Sequence, residues 1–282
     1  MKKTLLLICL AVAFVPPCIS RELIIDPLTI PVLIVHEKGA GSGCFLLLSN
    51  SVYLVTARHV LFSEPEGSNA PSLLSPNALV KTYSGVGTTN ISERVVSLDL
   101  KNLMSAGEIR FSTNRDVVLV RVEDCNPTNI TLVNFLPGVN FMSSSTGFQL
   151  YNDFVCPLAN VDVGADVYMF GYPISLTASI RDKFDPAQPL LRKGIVAGVN
   201  FARRTIVIDS PSYQGNSGGP VLQVEHPKFG TTDYRMIGVV SSFVPFEEEW
   251  ENKTLRYSHV TISNSGYTLV EPIDLALELV WK

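Results

Sequence analysis

Three short segments carry a histidine, an aspartate and a serine in settings that suit nucleophilic catalysis. His59 follows an apolar, strand-like run, Asp116 directly precedes another, and Ser217 is enclosed by glycines. A serine hydroxyl is a poor nucleophile at neutral pH, so it needs a base such as imidazole, whose ordinary pKa is about 6.5, to remove its proton. A carboxylate behind the imidazole fixes its tautomer and stabilises the imidazolium. The sequence therefore predicts Ser217 as nucleophile, His59 as general base and Asp116 as the residue that orients the base.

The glycines around Ser217 suit a site that stabilises a developing negative charge. The backbone N–H groups of Gly215 and Ser217 can turn towards one point and form an oxyanion hole there. Side chains at the glycine positions would obstruct both the turn and an approaching substrate. We therefore predict that Gly215 and Ser217 supply the oxyanion hole.

A second class of enzyme shares part of this pattern. Residues 215–219 also fit G-x-S-x-G, the nucleophile elbow of α/β-hydrolases, which requires a helix directly after the serine and the triad order Ser, Asp, His. Here Pro220 and the strand-like residues 221–224 follow the serine, and only 65 residues remain after Ser217. These features exclude an esterase of that class.

Short β-strands are the elements that must position these residues. Segments rich in Val, Ile, Tyr and Phe alternate with turn residues, and no series of long amphipathic helices separates them, which argues against a parallel α/β sheet. One helix is predicted after Pro272, because apolar residues then recur at helical spacing up to Val280. We expect an all-β protein with a C-terminal helix. The predicted strands include residues 44–48, 52–55, 117–122, 167–170, 194–197, 205–208 and 237–241.

The sequence resembles the trypsin- and chymotrypsin-fold serine peptidases, particularly their bacterial HtrA-like branch. The segments TARHV at 56–60, RDVVLV at 115–120 and GNSGGP at 215–220 carry the resemblance, and residues 41–45 and 167–173 extend it. It implies two packed six-stranded antiparallel β-barrels, with the site in the cleft between them. It also implies the catalytic roles given above for the histidine, the aspartate and the serine. We expect no PDZ module after the peptidase, because too few residues follow it.

Two halves of similar length are expected. A stretch between Cys125 and Cys156, rich in Asn, Thr, Pro and Gly and containing three serines at 143–145, is typical of a connector. We predict that residues 21–140 form an N-terminal barrel that carries the histidine and the aspartate. Residues 141–282 would form a C-terminal barrel that carries the serine, followed by the terminal helix.

The resemblance also locates a specificity pocket. By the family's spacing, its floor falls at Pro211, six residues before the nucleophile, and Ser241, Ser242 and Phe243 form a wall. A pocket for Arg or Lys needs an acid at the floor, which Pro211 does not provide. Phe243 stands where relatives often have a small residue, so we expect a shallow pocket and cleavage after small or medium apolar side chains.

Residues 1–20 have the pattern of an export signal. Lys2 and Lys3 precede a run of eleven uncharged apolar residues, and two prolines and Cys18-Ile19-Ser20 follow. As a helix, eleven residues span about 16 Å, well short of the ~30 Å core of a bilayer. We therefore expect removal of this segment, an exported protein in the periplasm or the extracellular space, and no membrane span.

The charge, histidine and cysteine content limits the classes of partner and ligand that we expect for this protein. The 282 residues include 22 Lys and Arg against 26 Asp and Glu, a net charge of −4, so no basic field favours nucleic acid. No two cysteines have C-x-x-C spacing and the four histidines are scattered, so we predict no metal site and no cofactor. Export permits a disulfide, for which Cys125 and Cys156 are the favoured pair, with Cys44 as a buried thiol.

The sequence thus predicts an exported serine endopeptidase that acts on a polypeptide substrate through an acyl-enzyme intermediate. The alternative is a secreted peptide- or protein-binding module on the same fold, in which the cleft is closed and inactive. The sequence does not indicate an oligomeric state.

Overall fold

The computed structural model describes residues 27–48, 50–63, 71–84, 91–126, 129–141, 150–151, 154–173, 183–185, 188–225, 233–252, 254 and 256–281. The predicted export signal at residues 1–20 and the serine run at 143–145 lie outside these residues.

The strands of the N-terminal half form one sheet. They are β1 (Pro31–His36), β2 (Gly39–Leu48), β3 (Ser51–Thr56), β4 (Asn77–Ser84), β5 (Ser92–Asp99), β6 (Ile109–Phe111), β7 (Val118–Asn126), β8 (Asn129–Phe135), β9 (Val139–Phe141) and β10 (Leu150–Tyr151). Their main order is β6-β7-β3-β2-β1-β4-β5-β9, and β8 pairs with β7. All these pairs are antiparallel except that of β10, which runs parallel to β2.

The strands of the C-terminal half close into a barrel. They are β11 (Asp166–Gly171), β12 (Leu190–Asn200), β13 (Thr205–Asp209), β14 (Pro220–Glu225), β15 (Asp233–Asn252) and β16 (Tyr257–Pro272). The order β11-β12-β13-β16-β15-β14 is closed by the antiparallel pairing of β14 with β11. Beyond the barrel, β15 and β16 continue as a two-stranded ribbon up to the pair Asn252–Tyr257, and most of its described side chains are exposed.

Three helices accompany the sheets among the described residues. They are α1 (Arg58–Leu61), directly after β3, α2 (Leu100–Ser105) and α3 (Ile273–Trp281). Helix α3 buries Ile273, Leu275, Ala276 and Leu279, which are residues of the apolar face predicted from the sequence. No helix in the described part of the chain is long and apolar enough to cross a membrane.

Each half has its own apolar core. In the first sheet, Leu54, Leu98 and Val120 are fully buried with their neighbours, and in the barrel Val167 and Ile208 are fully buried. Buried residues alternate with more exposed ones along strands such as β13, as expected for strands that pack one face on a core. The two cores place the catalytic candidates at the ends of rigid elements.

A third apolar cluster joins the halves. It contains Cys44 and Leu46 of β2, Phe170 of β11, Met236 of β15 and Leu279 of α3, all of them buried. Because the cluster draws on both sheets and on the terminal helix, it fixes the orientation of one half against the other. The junction between the halves is therefore built on packed side chains.

The predicted fold class is confirmed, since the structure is mostly β with barrel-like sheets and a C-terminal helix. The six-stranded count holds for the second sheet, whereas the first has ten described strands and no closure between its end strands β6 and β9. The additional short strands arise largely from residues around the expected connector. The division at residue 140 stays a prediction, and β10, which lies after it, pairs with β2 of the first sheet.

The expected disulfide between Cys125 and Cys156 is not formed. Cys156 is a free, buried thiol whose Sγ contacts the carbonyl oxygens of Pro157 and Asn160. The desolvation caused by burial, together with the charge of Glu225, raises the pKa of this thiol to about 11. Cys44 is a free thiol in the core, as expected from its apolar surroundings.

Candidate active site

His59 and Asp116 form a pair within the N-terminal half. His59 lies in α1, immediately after β3, and its Nδ1 is 2.8 Å from Asp116 Oδ2. The backbone N–H of His59 donates to Asp116 Oδ1 at 3.0 Å. Because an ionised carboxylate only accepts hydrogen bonds, this contact places the proton of a neutral imidazole on Nδ1 and leaves Nε2 as the basic atom.

Asp116 is held in the segment between β6 and β7. Arg58, the neighbour of His59, donates from Nη1 to the carbonyl oxygens of Ser112 and Thr113 and so fixes the start of this segment. Burial alone would raise the pKa of Asp116, but the hydrogen bonds and charge of His59, together with a hydrogen bond from Ser241, outweigh it and lower this pKa. The carboxylate is therefore ionised at neutral pH.

Ser241 connects this pair to the nucleophile candidate. Its hydroxyl donates to Asp116 Oδ2 at 2.7 Å, and its carbonyl oxygen accepts from the Ser217 hydroxyl at 3.3 Å. His59, Asp116 and Ser217 thus belong to one hydrogen-bonded group, although Ser217 comes from the other half of the chain. Ser241 lies on β15, in the barrel, where the sequence had assigned it only to a pocket wall.

A tight turn precedes Ser217. The N–H of Asn216 donates to the carbonyl of Tyr213 at 2.9 Å, and Gly215 at the third position of this turn has a φ of 100°. A positive φ at the third position alone defines a type II turn and favours glycine. Type I and type II turns differ in the orientation of their central peptide, so this turn type decides the direction of the Gly215 N–H.

The first sheet clamps the nucleophile turn from behind. The Ser42 hydroxyl donates to the Gly215 carbonyl at 2.7 Å, and the Ser42 N–H donates to the Ser217 carbonyl at 2.8 Å. Thr56 in turn donates to the Ser42 carbonyl at 2.7 Å. Gly218 approaches this contact so closely that a Cβ there would lie 2.0 Å from Thr56 Oγ1 and 2.2 Å from the Ser42 carbonyl oxygen.

The two amides predicted for the oxyanion hole differ from their neighbours in their hydrogen bonds. The neighbouring N–H groups of Gly218 and Gly219 donate to the carbonyls of Val240 and Asn216. In the described part of the chain, no acceptor is found for the N–H groups of Gly215 and Ser217. The oxyanion-hole role of these two donors stays a prediction.

The residues predicted for the specificity pocket lie on either side of β16. Pro211 follows the end of β13, which pairs with one edge of β16, and Ser242 and Phe243 pair with the other edge. Since adjacent strands are about 4.8 Å apart, β13 and β15 are separated by about 10 Å, and the pocket itself stays a prediction. Phe243 is 41% exposed, and Ser242 is also exposed.

Several contacts of the site could not be found by sequence reasoning. Nothing in the sequence pairs Ser241 with Asp116, because 125 residues separate them. Ser42 lies in the glycine-flanked segment 41–45 that supports the family resemblance, which was the available signal for its role behind the nucleophile turn.

The arrangement of these elements is typical of chymotrypsin-fold serine proteases. A closed barrel packs against an antiparallel sheet, and the His, Asp and Ser side chains lie between them. A family profile described as a trypsin-like peptidase domain matches residues 41–227, more than half of the chain. The chain therefore belongs to the family of trypsin-like peptidase domains, a family of serine proteases.

The chain also matches two solved structures of HtrA-type and Deg proteins. The HtrA-type protease AlgW with tripeptide is 14% identical, with a TM-score of 0.46, and the match covers 90% of this chain and 60% of that chain. Deg5 is 15% identical, with a TM-score of 0.47, and the match covers 89% of this chain and 87% of that chain. This chain thus spans 60% of the length of the AlgW chain. No curated protein matches the sequence.

Proposed function

We propose that this protein is a serine endopeptidase in which Ser217 is the nucleophile, His59 the general base and Asp116 the residue that orients His59. The observation that carries the proposal is the hydrogen-bonded group of His59, Asp116, Ser241 and Ser217. This group brings a base, an anion and a hydroxyl together from two halves of the chain.

The reaction would begin with attack of Ser217 Oγ on the scissile carbonyl carbon while His59 Nε2 takes the hydroxyl proton. That proton is the one that Ser217 donates to the Ser241 carbonyl in the resting site, so this hydrogen bond must be released. The Gly215 and Ser217 amides would stabilise the oxyanion, and Asp116 would stabilise the imidazolium. His59 then protonates the leaving amine, and water hydrolyses the acyl-enzyme by the same steps in reverse.

A fluorophosphonate probe tests this proposal. We expect the wild-type protein to be labelled and Ser217→Ala not to be labelled. Ser263→Ala is the matched control, because Ser263 lies on the same barrel with an exposed hydroxyl that contacts only the Phe246 carbonyl among the described residues. Absence of labelling in folded wild-type protein would contradict the proposal.

We further propose that the enzyme cleaves after small or medium apolar side chains. Pro211 at the predicted pocket floor offers no negative charge, and the bulk of Phe243 on the opposite wall limits the depth of the pocket. A panel of chromogenic peptides that differ only at the residue before the scissile bond measures this preference. A strong preference for Arg or Lys would contradict it.

The protein is also proposed to be exported, on the pattern of residues 1–20. Cell fractionation followed by N-terminal sequencing tests this directly, with Arg21 expected as the first residue of the exported protein. Recovery of the intact N-terminus in the cytoplasm would contradict export.

The second candidate function is a binding module with a closed cleft. The hydrogen bond from the Ser217 hydroxyl to the Ser241 carbonyl is the feature that favours it, because this hydroxyl proton points to a carbonyl oxygen and not to a base. This candidate predicts no probe labelling and no turnover in folded wild-type protein, together with measurable peptide binding.

A further inference from the structure

Asp116 is held at both its side chain and its backbone. Its carboxylate accepts hydrogen bonds from His59 and Ser241, as described above. Its backbone N–H donates to Oε1 of Glu271 at 3.4 Å, a long hydrogen bond. Glu271 belongs to β16 in the C-terminal barrel, so the aspartate is tied to the half that does not contain it.

The stronger tie runs through the neighbouring arginine. Arg115 Nε donates to Glu271 Oε2 at 2.9 Å, and its Nη2 donates to the same oxygen. Nη1 and Nη2 of Arg115 also donate to the carbonyl oxygens of Arg203 and Arg204, in the turn between β12 and β13. All three guanidinium nitrogens therefore take part in attaching this segment of the first half to the second half.

The position of Glu271 relates it to the catalytic group. It pairs with Val239 on β15, two residues before Ser241, whose hydroxyl contacts Asp116. The strand pair β15 and β16 therefore contacts Asp116 twice. Glu271 accepts a hydrogen bond from the main chain of Asp116, and Ser241 donates one to the Asp116 side chain. Any change in the packing of the two halves at this point would move both contacts together.

Only a carboxylate satisfies both of these partners. One oxygen of Glu271 serves Arg115 and the other serves the Asp116 amide, and both partners are donors. A glutamine has one accepting oxygen and one donating nitrogen, so it can serve only one of them. The ion pair is 12% exposed on the glutamate side and 19% exposed on the arginine side. Burial to this extent costs desolvation energy and is weak evidence for a role in stability alone.

We propose that Glu271 is a positioning residue of the catalytic group, which acts through Arg115 and the Asp116 amide to set the position of Asp116 between His59 and Ser241. This inference rests on the proposed function. It adds that the correct packing of the two halves is required for an aligned triad.

The test compares Glu271→Ala and Glu271→Gln with Glu278→Ala. Glu278 is the matched control, because its exposed ion pair with Arg204 lies at the turn that Arg115 contacts, and its removal leaves both hydrogen-bond partners of Glu271 in place. We expect kcat to fall by about 10²-fold in Glu271→Ala, as for a misplacement of about 1 Å, with KM changed little. Glu271→Gln should resemble Glu271→Ala, and Glu278→Ala should resemble the wild type.

A titration of His59 by NMR gives a readout that does not depend on turnover. In the described part of the chain, Arg58, Arg115 and Glu271 are charged groups that adjoin the His59–Asp116 pair. Loss of Glu271 removes a negative charge and leaves the positive charge of Arg115, so protonation of His59 becomes less favourable. We expect the His59 titration midpoint to move to lower pH in both Glu271 variants and to stay unchanged in Glu278→Ala.

Each outcome bears on one proposal. If wild-type protein is active, and folded Glu271 variants keep the wild-type kcat and His59 midpoint, the positioning role is wrong while the proposed function stands. If wild-type protein is neither labelled nor active, the proposed function is wrong, and the NMR titration still decides whether Glu271 acts on the pair. If Glu271→Ala does not fold, Glu271→Gln, which preserves volume, provides the same comparison.

Discussion

Replacement of Gly218 by alanine is expected to disrupt the contact between the nucleophile turn and the first sheet. Gly218 has a φ of 79°, and a Cβ at this position would lie 2.0 Å from Thr56 Oγ1, 2.2 Å from the Ser42 carbonyl oxygen and 2.8 Å from the Ala57 nitrogen. Two of these atoms are backbone, so no side-chain rotation relieves the overlap. The turn must therefore move away from the first sheet.

The size of the effect follows from three contributions. The positive φ costs about 1 to 2 kcal/mol for alanine, of which about 0.4 to 1 kcal/mol is offset because alanine restricts the unfolded chain. Overpacking of a tight site costs about 1 to 3 kcal/mol. Loss of the hydrogen bond from Thr56 to the Ser42 carbonyl costs about 1 kcal/mol. We therefore expect Gly218→Ala to lower the free energy of unfolding by about 2 to 6 kcal/mol.

Gly107→Ala is a matched control for this prediction. Gly107 has a φ of 76°, almost the same as Gly218, but a Cβ there would meet no atom within 4 Å. Only the φ contribution remains, so this variant should lose about 1 kcal/mol. Urea unfolding measures both variants, and fluorophosphonate labelling should be slowed in Gly218→Ala alone. Equal losses of stability in the two variants would refute the close contact as the cause.

Three further predictions follow from the site and the free thiols. Asp116→Asn should lower kcat by about 10⁴-fold, because asparagine can donate to His59 and favour the wrong tautomer, and steady-state kinetics with a chromogenic peptide measures this. Ser241→Ala should raise the pKa of Asp116 towards its ordinary value and lower kcat about tenfold, and carboxyl NMR detects the change; an unaltered Asp116 titration would contradict the contact. The lowered pKa of Asp116 stabilises the folded state at pH values above the ordinary pKa of an aspartate. This contribution is lost as the pH falls through the folded-state pKa. Ser241→Ala should therefore also lose part of this stabilisation. The pKa of Cys156 is raised to about 11, so its thiol should react slowly with a thiol reagent at pH 8 in the folded protein. In urea without reductant it should react rapidly. A disulfide to Cys125 would leave Cys156 unreactive under both conditions.

Local patterns made the strands and the terminal helix predictable. Alternating and continuous apolar runs identified segments such as 52–55 and 205–208, which lie within β3 and β13. The helical spacing from Ile273 to Val280 identified α3, because one face of that helix packs on the core. Such periodicities reflect burial on one face and need no knowledge of distant residues.

Pairings between distant segments were not predictable in the same way. The parallel contact of β10 with β2 and the end strand β9 depend on where the chain passes after the first sheet, which a short apolar pattern does not specify. The expected disulfide was wrong because cysteine count and compartment indicate only that a bridge is permitted, while the Sγ of Cys156 is turned towards the turn at residues 157–160.

For the site, residue types and family spacing predicted the candidate catalytic groups but not the residues that hold them. His59 and Asp116 stand in the predicted segments and contact each other. By contrast, Ser241, Arg115 and Glu271 act through contacts that span more than 100 residues and carry no local signature. Positioning residues of this kind become visible only when both halves are packed together.

The catalytic assignment is tested most directly by locating the adduct of a fluorophosphonate on the protein. The account predicts one adduct per chain, found by peptide mapping on Ser217, with its rate of formation reduced at least a hundredfold in His59→Ala. An adduct on another residue, or labelling of Ser217 at an unchanged rate in His59→Ala, would show that the imidazole and the hydroxyl do not work together.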